Sequence, residues 1–146
     1  NLSRLYWPAL IDRVAKFVPQ YGADTDLSWL FDALNRSFLL GGDEWLNMAM
    51  IDENEEKIVG HLIAQYQLYG RLGYVIFIHQ LECDVFPEDI RRTGWARVKQ
   101  WGVEKNVRYI FNNARTQAVA RLYRSKFGFS DHRVIQQYDM LKGAKE

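Results

Sequence analysis

The sequence is poor in the residues that mark several specialised classes of protein. It has one cysteine, Cys83, in 146 residues, so neither an internal disulfide nor a thiolate cluster for a metal can form. Its three prolines are scattered, and no apolar run approaches the roughly twenty residues needed to cross a bilayer. No basic segment followed by an apolar stretch opens the chain, so we expect no signal peptide. These features predict a cytoplasmic protein without a metal site.

An excess of charge of one sign is also missing. The formal net charge is +1, which is too close to zero to indicate a nucleic-acid or membrane surface. Hydrophobic residues make up 48% and charged residues 25%, the balance of an ordinary globular protein. A chain of this length suits one hydrophobic core, so we expect a single domain spanning residues 1–146.

The first third of the chain predicts two amphipathic helices. Pro8 suits a first helical turn, and Leu10, Val14 and Val18 follow at helical spacing until Pro19 ends the pattern. The second helix follows the capping residues 24–26 and ends at the glycine pair 41–42. Its apolar stripe is Leu27, Leu30, Phe31, Leu34 and Phe38.

The hydrophobic period then changes to two, which predicts strands over 45–51, 58–67 and 74–85. A helix from about Gly94 to Lys105 and a short strand over 107–112 follow. A fourth helix, capped by Thr116, stops at Gly128, and a last strand covers 134–140. The order predicts an α/β fold with a mixed sheet. The strand, helix and strand within 74–112 imply a right-handed parallel crossover.

The junction after the long strand, residues 85–96, is the most informative stretch. A strand is followed by a basic loop with a glycine and then by a helix, which is an arrangement that binds phosphate. Free N–H groups and the helix dipole attract an anion, glycine allows close approach, and arginines add charge-assisted bonds. Alone this signal is weak, because an ordinary solvated loop has the same composition.

These residues resemble the GNAT superfamily of N-acetyltransferases. The family signature is Gln or Arg, two residues, Gly, one residue, then Gly or Ala, and Arg91, Gly94 and Ala96 match it. The segment 120–129, with Leu122-Tyr123 followed by Gly128-Phe129, and the closing Tyr138-Asp139-Met140 are also similar to the family. The resemblance covers about residues 45–141. It implies a mostly antiparallel mixed sheet with one splayed parallel pair behind two N-terminal helices.

By this resemblance the chain would use acetyl-CoA as cosubstrate. The backbone near Val85 would pair with the pantetheine arm, and the N–H groups from Arg92 to Ala96 would hold the pyrophosphate. The residues concerned are Arg91, Arg92, Thr93, Gly94, Trp95 and Ala96. Tyr123 would return a proton to the leaving thiolate. Family members often have Asn where the spacing places Thr116, and Asn113 lies close enough in sequence to substitute.

The general base has to be sought locally. Glu82 and Asp84 lie two apart on the long strand with Gln80, so the three share a face, and Glu82 is favoured over Asp84. His79 should face the other side unless a bulge intervenes. We expect His61 at the surface and Cys83 as a small core side chain rather than a nucleophile. Tyr123 also lies on the apolar stripe of its helix, so packing is the rival interpretation of that residue.

Three functions follow. The leading hypothesis is acetyl transfer from acetyl-CoA to a primary amine by direct attack. A non-catalytic GNAT-like module that binds a partner is the first alternative, because fold does not fix function. A nucleic-acid-binding domain is the second, and the near-zero net charge disfavours it. The acceptor, a small molecule or a peptide, cannot be identified from the sequence. The oligomeric state stays open, with a homodimer as one alternative.

Overall fold

The computed structural model describes residues 6–21, 27–40, 43–84, 88–112 and 117–131. The helices are α1 (Trp7–Phe17), α2 (Leu27–Leu40), α3 (Glu88–Glu104) and α4 (Gln117–Phe127), and the strands are β1 (Trp45–Asp52), β2 (Lys57–Leu68), β3 (Tyr74–Cys83) and β4 (Ile110–Asn112). Short 3-10 turns cover Val18–Tyr21 and Gly70–Leu72. The chain divides into two compact units, Asn1–Arg115 and Thr116–Glu146. The expectation of a single domain stays a prediction.

The apolar stripe of α1 forms the core that the sequence predicts. Pro8 lies in the first turn, where the missing N–H has no intrahelical partner to lose. Leu10 and Val14 are fully buried and Val18 is nearly so. They pack with Leu34 of α2 and Ile63 of β2. The first two helices therefore cover one face of the sheet.

The described strands form one mixed sheet in the order β1-β2-β3-β4. β1 pairs with β2 and β2 with β3 in antiparallel fashion. β3 and β4 are parallel, with Ile76 opposite Ile110 and Ile78 opposite Asn112. The parallel crossover that the sequence predicts is therefore confirmed.

Helices α1 and α3 lie against opposite faces of this sheet. Ile63 belongs to the α1 core, whereas its neighbour Ala64 points to the other face because side chains alternate along a strand. On that other face Gly102 of α3 lies near Ile76 and Ile110. Val98 and Trp101 of α3 are also buried. The sheet is covered by helices on both sides within residues 1–115.

The predicted start of α3 is wrong. The helix begins at Glu88, six residues before Gly94, and β4 begins at Ile110 rather than at position 107. Glu88 and Asp89 in the first turn stabilise the early start, because carboxylates interact favourably with a helix N-terminus. The predicted helix caps at 24–26, 41–42 and Thr116, and the predicted last strand at 134–140, lie outside the described residues.

The end of α4 agrees with the sequence. Gly128 follows the helix with φ of 75°, the left-handed conformation that glycine adopts without strain. The Phe129 N–H donates to the Tyr123 carbonyl at 3.2 Å, so the chain folds back on the last turn. The Phe129 and Tyr123 rings meet edge to face, with centroids 5.0 Å apart.

Candidate functional site

The end of β3 is where the predicted cofactor strand leaves its parallel neighbour. The last parallel pair in the described part of β4 is Ile78 opposite Asn112, and β3 continues to Cys83. The antiparallel register with β2 shifts here, because Ile63 pairs with Gln80 but Ala64 with Ile78. His79 is therefore the extra residue of a β-bulge. The described parallel pairing therefore ends at Ile78, five residues before Cys83, where we expected the two strands to separate.

The signature residues lie inside α3 rather than in a loop before it. Arg91 is the fourth residue of the helix and Gly94 the seventh. Within a helix the N–H groups of the first three residues lack an intrahelical partner, so the free ones belong to residues 88–90. The N–H groups from Arg92 to Ala96 instead bond to carbonyls four residues earlier. The structure thus corrects the expectation that these N–H groups lie free at a helix start.

Polar contacts within the first turns hold this helical arrangement together. The carboxylate of Glu88 accepts a bond from Arg91 at 3.2 Å and lies 3.8 Å from the guanidinium of Arg92. The Thr93 hydroxyl donates to the carbonyl of Asp89 at 2.8 Å. The Arg91 side chain is 14% exposed and that of Arg92 is 78% exposed. An anion would compete with Glu88 for both guanidinium groups.

Within the described part of the chain, Gly94 has no packing reason to be a glycine. A Cβ built there meets no atom of another described residue within 4 Å apart from its own helix backbone and chain neighbours, and the backbone is helical without a positive φ. A glycine inside a helix costs about 1 kcal/mol relative to alanine. Trp95 is half-buried with Lys99 5.8 Å from its ring, and Ala96 is exposed. The open space beside Gly94 is a feature of the site that neither helix propensity nor packing explains.

The two candidate bases have different surroundings. Asp84 forms an ion pair with Arg13 of α1, whose hydrogen bonds hold the pKa of that carboxyl below its usual range. It therefore serves as a fixed acceptor for Arg13. Glu82 is 8% exposed and lies within β3, with His61 of β2 opposite. Of the two candidates, Asp84 is the one that the ion pair with Arg13 holds in place.

Sequence reasoning missed a buried polar network that joins α1 to the sheet. Arg13 donates to His61 Nδ1 at 3.0 Å, His61 Nε2 lies 2.8 Å from Gln80 Oε1, and Gln80 donates to the Val14 carbonyl at 3.4 Å. His61 is 2% exposed, so its expected surface location is wrong. Burial lowers the pKa of His61 to about 4. The sequence signal was Arg13 itself, a charged residue beside the apolar stripe of α1.

His79 lies on the face that Trp45, Gln65 and Phe77 share. Its Nε2 is 3.0 Å from Gln65 Oε1, and its ring stacks on Trp45 at 5.5 Å between centroids. Phe77 is 5.2 Å away. The bulge therefore places His79 on the same face as its neighbour Gln80, although adjacent residues of a regular strand point to opposite faces. Burial lowers the pKa of His79 to about 4, so the ring is neutral near pH 7.

Tyr123 is buried within the second compact unit, at 8% exposure. Its ring contacts Phe127 at 5.3 Å and Phe129 at 5.0 Å between centroids. These contacts agree with the packing interpretation, and the role as a proton donor stays a prediction.

Several expected features fall outside what can be described. Val85, Asn113 and Thr116 lie outside the described residues, so their roles stay predictions. Cys83 is half-buried, and burial raises the pKa of its thiol to about 11, as a packed side chain requires. Over residues 6–21, 27–40, 43–84, 88–112 and 117–131, no three His, Cys, Asp or Glu side chains are grouped to hold a metal. No helix in the same ranges is long and apolar enough to span a membrane.

Comparison with solved structures identifies the fold as that of the GNAT acetyltransferases. A predicted acetyltransferase from Clostridium acetobutylicum, solved with acetyl-CoA, has a TM-score of 0.72 and 14% identity, over 97% of this chain and 94% of its own. An aminoglycoside N-acetyltransferase in complex with coenzyme A has a TM-score of 0.67 and 14% identity, over 95% and 91%. Glucosamine-6-phosphate N-acetyltransferase from Arabidopsis thaliana has a TM-score of 0.62 and 11% identity, over 94% and 90%. No protein-family model and no curated protein matches the chain in sequence.

Proposed function

We propose that the protein transfers an acetyl group from acetyl-CoA to a primary amine. The observation that carries this proposal is the parallel β3–β4 pair with the Arg91-Gly94-Ala96 signature in the crossover between its strands. Similar structures support it, since two of them were solved with acetyl-CoA or coenzyme A. Their names describe acceptors that carry amines, such as aminoglycosides and glucosamine-6-phosphate.

The reaction is a direct attack of the amine nitrogen on the thioester carbonyl. A carbon–nitrogen bond forms, the carbon–sulfur bond breaks, and the products are an acetamide and free coenzyme A. Glu82 takes the proton that the amine loses, directly or through a water molecule. Tyr123 donates a proton to the thiolate of coenzyme A, as the resemblance implies. Much of the acceleration comes from holding both reactants together.

Pyrophosphate binding at the signature requires the first turns of α3 to open. The N–H groups from Arg92 to Ala96 become free only if the helix starts near Thr93 instead of Glu88. Opening would also release Arg91 and Arg92 from Glu88 for the phosphates. The empty space beside Gly94 supports this proposal, because a ligand can approach the backbone closely there. Binding energy therefore has to exceed the cost of unwinding about one and a half turns.

A screen of primary amines with acetyl-CoA and detection of free thiol tests the proposed function. Turnover with at least one amine is the expected result. Tyr123→Phe should lower kcat while leaving acetyl-CoA affinity nearly unchanged, because only the hydroxyl is lost. Wild-type kcat in that variant would mean that Tyr123 only packs.

One observation favours a second candidate, a non-catalytic binding module with this fold. The continuous helix from Glu88 bonds the N–H groups of residues 92–96 internally and presents the carboxylates of Glu88 and Asp89 at its start, where an acyl-CoA would need its pyrophosphate held. A thermal-shift titration separates the two functions. At a hundred times its dissociation constant acetyl-CoA should stabilise the fold by about 2.7 kcal/mol. This corresponds to a Tm increase of roughly 5 to 10 °C, and Gly94→Glu should abolish it. An unchanged Tm would favour the module.

A further inference from the structure

Arg13 of α1 makes more directed contacts than any role in helix stability requires. One of its terminal nitrogens lies 2.9 Å from Asp84 Oδ1 and 3.3 Å from the Val59 carbonyl, and the other lies 3.3 Å from Asp84 Oδ2. Its Nε donates to His61 Nδ1. The guanidinium also sits 5.1 Å from the centroid of the Phe17 ring. All three nitrogens of one side chain are therefore committed, to the start of β2 and the end of β3.

The network behind Arg13 fixes its orientation. A guanidinium has only donors, so His61 Nδ1 must be an acceptor and its proton must lie on Nε2. That Nε2–H donates to Gln80 Oε1, which leaves the Gln80 amide to donate to the Val14 carbonyl. Each member has one protonation state and one orientation that satisfies the chain of bonds. The side chain of Arg13 is 12% exposed, so water competes little for these bonds.

Arg13 holds the end of β3, where the chain leaves the sheet towards the proposed cofactor site. Asp84 directly follows β3, and residues 85–87 lead from it to α3. The Asp84 N–H donates to the Val59 carbonyl at 2.8 Å, so Arg13 reinforces the last backbone bond between β2 and β3. Beyond Ile78 no described residue of β4 pairs with β3 on the opposite edge. That edge is where the acyl donor would lie, so its position depends on how the strand end is held.

We propose that Arg13 is a positioning residue that fixes the end of β3 and thereby aligns the acyl donor for transfer. This inference rests on the proposed acetyl transfer. A displacement of about 1 Å far from the reacting atoms can lower a rate by about a hundredfold, so a fixed strand end has catalytic value. Lysine keeps the charge of Arg13 but not its planar fork, and it cannot bond His61, Val59 and Asp84 together.

Steady-state kinetics of Arg13→Lys and Arg13→Ala test the proposal. We expect KM for acetyl-CoA to rise about tenfold in Arg13→Lys, because the strand end that positions the acyl donor is then held less firmly, with little change in KM for the amine. Added guanidinium ion should restore KM in Arg13→Ala but not in Arg13→Lys. Arg36→Ala is the matched control, because Arg36 is 72% exposed and forms its ion pair with Asp32 of the same helix. It should leave both constants unchanged.

Two results would overturn the inference. A folded Arg13→Ala protein with the wild-type KM for acetyl-CoA would show that the strand end needs no such support. Nitrogen NMR that places the His61 proton on Nδ1 would show that the network is wired differently, whatever the enzyme does. Absence of any turnover or acetyl-CoA binding in the wild type is a separate result, because it overturns the proposed function and the positioning role while the His61 proton still reports on the network.

Discussion

The two ends of the β3-to-α3 junction differ in how firmly their polar groups are held. At the strand end, Arg13, His61 and Gln80 are buried or nearly so, and each bonds to a group on another element. At the helix start, Glu88 and Arg92 are exposed, and the ion pair between them lies within the first turns of α3. Long-range buried bonds are lost only when elements separate, whereas local exposed ones exchange readily with water or ligand. The comparison teaches that the strand end is fixed and the helix start is adaptable.

Lowering the pH should reduce the free energy of unfolding more than the substitutions described below, because it acts on buried histidines of the fixed region. Burial lowers the pKa of His61 and His79 from 6.5 to about 4. Between these pH values only the unfolded chain binds a proton at each histidine. The free energy of unfolding therefore rises from pH 4 to pH 6.5, and the histidines add nothing further above pH 6.5. At about 1.4 kcal/mol per pH unit, each histidine contributes about 3 kcal/mol. Urea unfolding across this range measures the slope.

The matched variant for this prediction is His79→Gln, which keeps a partner for Gln65 but cannot titrate. It should lose about half of the pH dependence between pH 4 and 6.5. An identical slope in the variant and the wild type would mean that His79 is not buried in its neutral form.

Gly60→Ala should have the second largest effect, because atoms of β1 and β3 lie close to the position that a Cβ at Gly60 would take. A Cβ at Gly60 would come 2.8 Å from Cys83 Sγ, 3.2 Å from Met50 Cε and 3.3 Å from the Glu82 carbonyl. Gly60→Ala should lower the free energy of unfolding by about 1 to 3 kcal/mol through overpacking. Adding Cys83→Ala removes the nearest atom and should recover most of the loss. Equal stability of Gly60→Ala and the wild type would show that the end of β3 shifts to make room for the added methyl group.

The sequence predicts the elements of the fold better than their boundaries. Leu10, Val14 and Val18 define α1 by spacing alone, and the parallel pair follows from a strand, helix and strand in order. The predicted start of α3 is six residues late because Gly94 is the more conspicuous residue of the junction, although Pro87 followed by Glu88 and Asp89 is itself a helix-start pattern. Local patterns also identify which backbone conformation Gly128 needs.

The site is less predictable because its parts are distant in sequence. Arg13 and Asp84 are 71 positions apart, and no sequence pattern near either residue indicates that the two form an ion pair. His61 looks like a surface residue of an alternating strand until α1 covers it. The bulge at His79 changes which face its ring occupies, and no glycine marks it in the sequence. Long-range contacts and shifts of strand register depend on the tertiary structure, so the spacing of residues along the sequence does not predict them.

A pair of substitutions at Ile90 tests the adaptable region, with a smaller effect. Ile90 is 38% exposed in the turn that must open. Ile90→Ala and Ile90→Gly remove the same side chain beyond Cβ but differ by about 1 kcal/mol in helix propensity. If this turn unwinds on binding, the glycine variant should bind acetyl-CoA about fivefold more tightly than the alanine variant. If the helix persists in the complex, the propensity difference cancels, and calorimetric titration will give equal affinities.

The smallest expected effect concerns Glu88, whose carboxylate holds Arg91 and Arg92 in the free protein. Glu88→Gln keeps the size of the side chain but removes the charge that competes with a phosphate. Exposed ion pairs contribute about 0.2 to 1 kcal/mol, so acetyl-CoA affinity should rise about twofold. Asp32→Asn is the control, because Asp32 pairs with Arg36 on α2 and should leave affinity unchanged. Added salt should shrink the difference between Glu88→Gln and the wild type, since it screens exposed charges. Weaker binding by Glu88→Gln would show that Glu88 assists the signature arginines rather than competing with the ligand, and the helix start would then be as fixed as the strand end.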